Sequence, residues 1–140
     1  MAGIEVTNTI KLPDIEKNID QEFSALLEEA ITEIRIRTQS GRDKNGRSFK
    51  SYSPAYKKKR IESGRDGRPS LLWSGAMQAA MTQTVEKRNG SFIGTVFFNS
   101  TFEALKAKGN IGNGRDFFGF SREQITRITK QLRSILLGRK

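Results

Sequence analysis

Apolar residues recur at three- and four-residue steps through Ile15, Ile19, Phe23, Leu26, Leu27, Ala30, Ile31 and Ile34, which predicts one amphipathic helix from about Pro13 to Arg37. Proline in the first turn gives up no hydrogen bond, and Asp14 and Glu16 suit the positive end of the helix dipole. Ahead of it, "GIEVTNTIKL" alternates apolar and polar positions through Ile4, Val6, Ile10 and Leu12, the period of a short extended segment that Pro13 ends.

Residues 38–69 carry glycines, serines and charges without a sustained period, apart from a short helix begun by "SPAY", where Pro54 occupies the first turn. A connection that long is uncommon in a compact domain, so the segment is expected to find its order against something else. "LLWSGAMQAAM" predicts a short apolar helix over 70–81, started by Ser70 or Ser74, with Trp73 in the core. Asn89-Gly90 between two β-prone runs predicts a hairpin with strands at about 82–88 and 91–98, because both residues tolerate the positive φ of a type I′ turn. Phe92, Val96 and Phe98 share one face of the second strand and Ile93 and Phe97 the other, so both faces are expected to be covered, by helices or by another subunit.

"STFEALKAKGNIGNG" predicts a short helix and then a glycine-rich connector. The last helix is the best signed. Ser121 with Gln124 makes a capping box, and Phe120 with Ile125 a hydrophobic staple. Ile125, Ile128, Leu132, Ile135 and Leu136 form its expected buried stripe, with Gly138 near its end.

The length, 140 residues, suits a single domain over 1–140 with one modest core. The absence of Cys and His removes disulfides, Cys/His zinc sites, thiol nucleophiles and imidazole bases. The start "MAGIEVTNTIKLPD" lacks the pattern of a signal peptide, and no apolar run is long enough to span a bilayer, so no membrane association is expected. The net charge of +10 is unevenly spread. Met1 to Ile34 has two lysines against eight acids, whereas Arg35 to Arg68 has twelve basic residues against three acids. A chain so divided can bind polyanions, and can equally stack head to tail on its own copies.

Few constellations suggest catalysis. Glu22, Glu28, Glu29 and Glu33 lie opposite an apolar stripe and read as the solvated side of a helix, since hard-metal sites gather oxygens from several segments. The Asp/Glu-x-Lys element of metal-dependent nucleases does not occur. "DKNG" at Asp43 to Gly46 resembles the start of an EF-hand loop, but Lys44 intrudes and the closing Glu is missing, so it reads as a turn. The basic segment is the open question. Arg42, Lys44, Arg47, Lys50, Lys57, Lys58, Lys59 and Arg60 offer sequence-independent affinity for phosphate, and Phe49, Tyr52 and Tyr56 can stack on bases. No helix-turn-helix, RNP, KH or zinc-finger pattern frames them. Structural or assembly use of this charge and nucleic-acid contact both stay open.

Taken in order, "RTQSGRDKNGRSFKSYSPAYKKKR", "GRPSLLWSGAM", a hairpin and "RDFFGFSREQITRI" resemble the bacteriophage virion-morphogenesis proteins, the tail-completion or head–tail joining family. The matching positions are Asp43 and Gly46, Phe49, Ser53-Pro54-Ala55-Tyr56, Leu72 to Gly75, and Phe118-Gly119-Phe120-Ser121. Phe49 stands where tryptophan is common, and Asp116-Phe117 where an Arg-Pro pair often precedes the aromatic. The resemblance implies an α+β subunit with a long N-terminal helix, a central antiparallel hairpin in a small sheet, a C-terminal helix and a long basic loop. Extended loops are expected at about 38–69 and 99–119.

It also implies a ring, with six copies to match a tail tube, in the virion's tail or neck after assembly in the host cytoplasm. Its partners would be neighbouring tail-tube or terminator proteins and head–tail connector proteins. No catalytic site, cofactor or metal is expected. Arg42, Asp43, Lys44, Arg47, Phe49, Lys50, Tyr52, Tyr56, Lys57, Lys58, Lys59 and Arg60 are the candidates for subunit contact or for nonspecific contact with packaged DNA. The alternative is a small sequence-nonspecific DNA- or RNA-binding module.

Overall fold

The computed structural model describes residues 7–12, 18–71 and 75–137. The extended start at Ile4 and Val6, the Pro13 to Lys17 stretch, Leu72, Trp73, Ser74 and Gly138 lie outside the described residues. Within them the chain is α+β, with five helices and a three-stranded antiparallel sheet. The order is β1 (Thr7–Leu12), α1 (Asp20–Gln39), α2 (Pro54–Glu62), α3 (Ala76–Ala79), β2 (Met81–Arg88), β3 (Ser91–Phe98), α4 (Thr101–Gly112) and α5 (Arg122–Leu136).

β3 is the central strand, in the order β1-β3-β2. Asn89 and Gly90 take φ of 51° and 80°, the type I′ geometry whose twist matches the strands it joins. Phe92, Val96 and Phe98 are buried with Ile10 and Met81, and α1 packs on this side through Phe23, Leu27, Ala30, Ile31 and Ile34. A Cβ on Gly94 would stand 2.6 Å from Phe23 Cζ and 2.7 Å from Leu27 Cδ1. Glycine there sets how closely helix and strand approach.

Among the described residues of this chain, helix cover lies on one face of the sheet. Ile93, Thr95 and Phe97 keep intermediate exposure. Their register partners include Thr9, Lys11, Thr82 and Thr84, so the described part of this face mixes polar and apolar side chains.

Three helix expectations are corrected. The first helix begins at Asp20, because Ile19 is non-helical and the Asn18 side-chain oxygen accepts the Asp20 N–H at 3.0 Å. It runs to Gln39, after which Gly41 at φ +83° turns the chain away. Of the stretch expected as a helix over 70–81, the described residues form a helix at Ala76–Ala79, while Leu71 (φ 57°) and Gly75 (φ 86°) are left-handed. Gln78 holds that turn by donating from Nε2 to the carbonyls of Ser70 and Leu71.

The third concerns α5. Its capping box forms as expected, but Ile125 is 43% exposed and the buried side consists of Gln124, Ile128 and Leu132. Gln124 wins the inner position because it is a junction. Its Oε1 accepts from Ser121 N and Arg37 Nη1, and its Nε2 donates to Ala30 O and Glu33 Oε1.

The segments expected as extended loops are largely ordered by each other. α2 lies within 38–69, and α4 runs through Gly109 and Gly112 where a connector was expected. Ser100 accepts the Glu103 N–H at 3.3 Å and starts α4, whose buried Ala104 and Ala107 pack inward. Asp43 closes its turn by accepting from the Asn45 and Arg47 N–H groups at 2.9 Å each. Lys44 then ties the turn to the second segment, donating from its backbone to Asp116 O at 3.0 Å and pairing with the Asp116 carboxylate at 3.0 Å. Phe49 is buried in the core. No helix among the described residues is long and apolar enough to cross a membrane.

Candidate functional site

The basic segment builds one wall of a cleft of about 1050 Å³ whose other wall is α4 and the turn after it. Lys50, Lys59, Arg60, Lys106 and Arg115 line it together with Tyr52 and Tyr56, and no Asp or Glu among the described residues does. Local signals place the first wall. Ser53 Oγ accepts the Tyr56 N–H at 3.3 Å and Pro54 occupies the first turn, so α2 starts where its basic run turns back over the core.

Tyr52 is the hinge of the arrangement. The guanidinium carbons of Arg60 and Arg115 lie 4.9 and 4.8 Å from its ring centroid, within the range of cation–π attraction. Arg60 donates from Nε to Asp66 O at 2.8 Å and from Nη2 to Ser70 Oγ at 3.3 Å. Arg115 donates to the carbonyls of Lys50 and Ser51 at 3.0 and 3.1 Å. Two arginines thus lock the 50–60 segment to the 66–70 turn and to the residue after α4. Tyr56 meets Tyr52 edge-on, with centroids 4.8 Å apart at 76°, and keeps 37% of its surface.

The candidate residues therefore separate by position. Lys50, Tyr52, Tyr56, Lys59 and Arg60 line the cleft. Lys57 and Lys58 are exposed on α2, and Arg42 and Arg47 on the outer turn, where Arg42 Nη1 donates to Gly46 O. Phe49 is buried in the core, and Arg60, 1% exposed, braces α2 at the floor of the cleft. Asp43 and Lys44 are half-buried in the turn they hold. Lys106 and Arg115 were not anticipated, because nothing local distinguishes them from other surface cations; only the tertiary contact of α4 with the basic segment brings them in.

The hydroxyl oxygen of Tyr52 accepts the Leu71 N–H at 3.0 Å. Burial pushes the Tyr52 phenol above its usual value, outweighing the opposing effects of the Leu71 N–H and of Arg60 and Arg115. A raised acid pKa means that the folded state holds the proton more tightly. The stability involved is present below about pH 10 and is lost as pH climbs through the higher folded value. The chain has two tyrosines, so in a Tyr56→Phe variant the tyrosinate absorbance near 295 nm reports Tyr52 alone. Its midpoint is expected above about 10, the value of an unperturbed tyrosine; a midpoint at or below that would show the ring to be open to water.

Comparison of the chain with protein-family models, with curated proteins and with solved structures finds no match.

Proposed function

We propose that the chain is a structural subunit of a tailed-phage virion, one member of a ring that completes the tail end or joins tail to head, with no catalytic role. The observation that supports this most is where the residues of the resemblance meet. The Asp43–Gly46 turn is bonded to Asp116, Phe49 enters the core, Ser53 caps the helix carrying Tyr56, and Phe118 packs on Phe98 at 4.7 Å. Arg37 gathers the rest, donating to the carbonyls of Phe117 and Gly119 at 2.8 Å each. Motifs far apart in sequence build one junction, as the shared scaffold of a subunit family does.

Surface charge supplies a means of closing the ring. α1 exposes Glu22, Glu28 and Glu29 together with Ile36, which is 64% exposed. α2 exposes Lys57 and Lys58 together with Ile61, at 56%. Two different, complementary surfaces on one chain join head to tail, and such contacts close rings when the rotation allows. Six copies would match a tail tube, with tail-terminator and connector proteins above and below.

The expected result in light scattering is a ring mass for the wild type, a monomer for Lys57→Glu with Lys58→Glu, and restored mass when that variant is mixed with one carrying Glu22→Lys and Glu29→Lys. A wild type that stays monomeric, both alone and with tail components, would count heavily against the ring. The subunit's density in a virion or tail reconstruction would test its place directly.

A further inference from the structure

We infer that Asn89 is a site of self-modification: its side-chain amide is lost to attack by the Gly90 backbone nitrogen, and water then leaves aspartate or isoaspartate at the tip of the central hairpin. The inference rests on the turns alone and does not depend on the ring.

The chain holds three Asn-Gly pairs, at 45–46, 89–90 and 113–114. Glycine has no Cβ to keep its amide nitrogen away from the preceding side chain, so by local sequence the three are equals. All three asparagines are exposed, and the glycines take φ of 79°, 80° and 84°. What separates the pairs is the attacking nitrogen. Gly46 N–H donates to Asp43 O at 3.0 Å, and Gly114 N–H to Ile111 O at 3.1 Å. Among the described residues the Gly90 N–H donates to no acceptor, because Arg88 and Ser91, paired across the strands, close the turn around it.

Neighbouring bonds widen the difference. The Asp43 carboxylate accepts the Asn45 and Arg47 N–H groups, and Arg42 Nη1 donates to Gly46 O. Asn113 N–H donates to Gly109 O at 3.1 Å and Arg115 N–H to Asn110 O at 3.0 Å. To react, an asparagine must rotate until Cγ faces the next nitrogen. At 45–46 and 113–114 that rotation opposes bonds on both residues, whereas at 89–90 it opposes none of their own. One net hydrogen bond shifts such an equilibrium by about fivefold.

The step balances with water and a base as the only co-reactants. Hydroxide or buffer base takes the Gly90 amide proton, the nitrogen bonds to Asn89 Cγ, the Cγ–Nδ2 bond breaks and ammonia leaves, closing a cyclic imide. Water opens the imide. Cleavage at Cγ gives aspartate, and cleavage at the main-chain carbonyl carbon gives isoaspartate, with the backbone running through Cγ. Isoaspartate lengthens the chain by one carbon. A two-residue turn of fixed geometry does not absorb that, and the turn sets the register that points the β3 side chains at α1.

For the test the full chain is aged in water enriched in heavy oxygen, at neutral and at mildly alkaline pH. Peptide mapping by mass spectrometry then reads each asparagine by its amide-to-acid mass change and its heavy-oxygen label. The same incubation in concentrated urea supplies the unfolded reference. In the folded chain Asn89 is expected to convert at least about fivefold faster than Asn45 or Asn113, and faster still at the higher pH. In urea the three rates should converge. Equal rates at the three sites of the folded chain would overturn the inference, as would an Asn89 that survives folded and converts only in urea. An Asn89 lead of the same size in urea would also overturn it, since the preference would then lie in sequence and not in the turn.

A second measurement isolates the consequence. The aged chain, enriched in isoaspartate, is expected to unfold at lower urea than the Asn89→Asp variant, which carries the new charge without the extra carbon. Equal midpoints would overturn the effect on the hairpin.

Discussion

Arg60→Ala is expected to cost the subunit about 3–5 kcal/mol of unfolding free energy, the largest loss from any single arginine in the chain. The side chain is 1% exposed, donates to Asp66 O and Ser70 Oγ, and lies over the Tyr52 ring. Each hydrogen bond from a charged group contributes about 1.5–3 kcal/mol and each buried cation–π contact about 1–2. Truncation also leaves the Asp66 carbonyl without this donor and opens the space under α2. Arg60→Lys should recover only part of the loss, because one ammonium cannot span both acceptors while covering the ring. Lys57→Ala, on the exposed side of the same helix, should stay within about 0.5 kcal/mol. Urea melts followed by circular dichroism measure all three, and similar small shifts for Arg60→Ala and Lys57→Ala would mean that α2 is not anchored by its arginine.

Gly94→Val should cost roughly 3 kcal/mol through overpacking. Even the first added carbon would lie 2.6 Å from Phe23 Cζ and 2.7 Å from Leu27 Cδ1. Both side chains are completely buried, so neither can swing into solvent. α1 must move off the sheet. The conflict is local, which gives a second measurement. Leu27→Ala alone leaves a cavity worth about 2–5 kcal/mol, but combined with Gly94→Val it makes room for the new side chain, and the double variant should be more stable than the sum of the single effects by about 1 kcal/mol or more. Strict additivity would place the strain elsewhere.

The accuracy of the sequence reading followed the range of the interaction. Asn89-Gly90 and the Ser121–Gln124 box depend on backbone angles and hydrogen bonds within four residues, and both formed as expected. The helix started by Pro54 formed for the same reason. The start of α1 was misplaced because an apolar stripe extends past the point where Asn18 and Ile19 interrupt the helix. In the 70–81 stretch Leu71 and Gly75 are left-handed, which composition does not announce. Leucine is a poor candidate for positive φ, and here Tyr52, from outside the stretch, and Gln78, from within it, bond to its backbone groups.

By itself the sequence determined the class of elements, the hairpin register, the caps of α2 and α5, and the separation of an acidic first helix from a basic segment, because each rests on contacts between near neighbours or on charge count. Only the tertiary structure decided how the basic segment packs. Whether an arginine is a surface charge or a buried brace depends on which carbonyls and rings surround it, and those of Arg60 and Arg115 come from Asp66, Ser70, Lys50, Ser51 and Tyr52. The same packing placed Phe49 inside, brought Lys106 and Arg115 opposite Lys50 and Lys59, and so made a cleft out of segments that share no pattern in sequence.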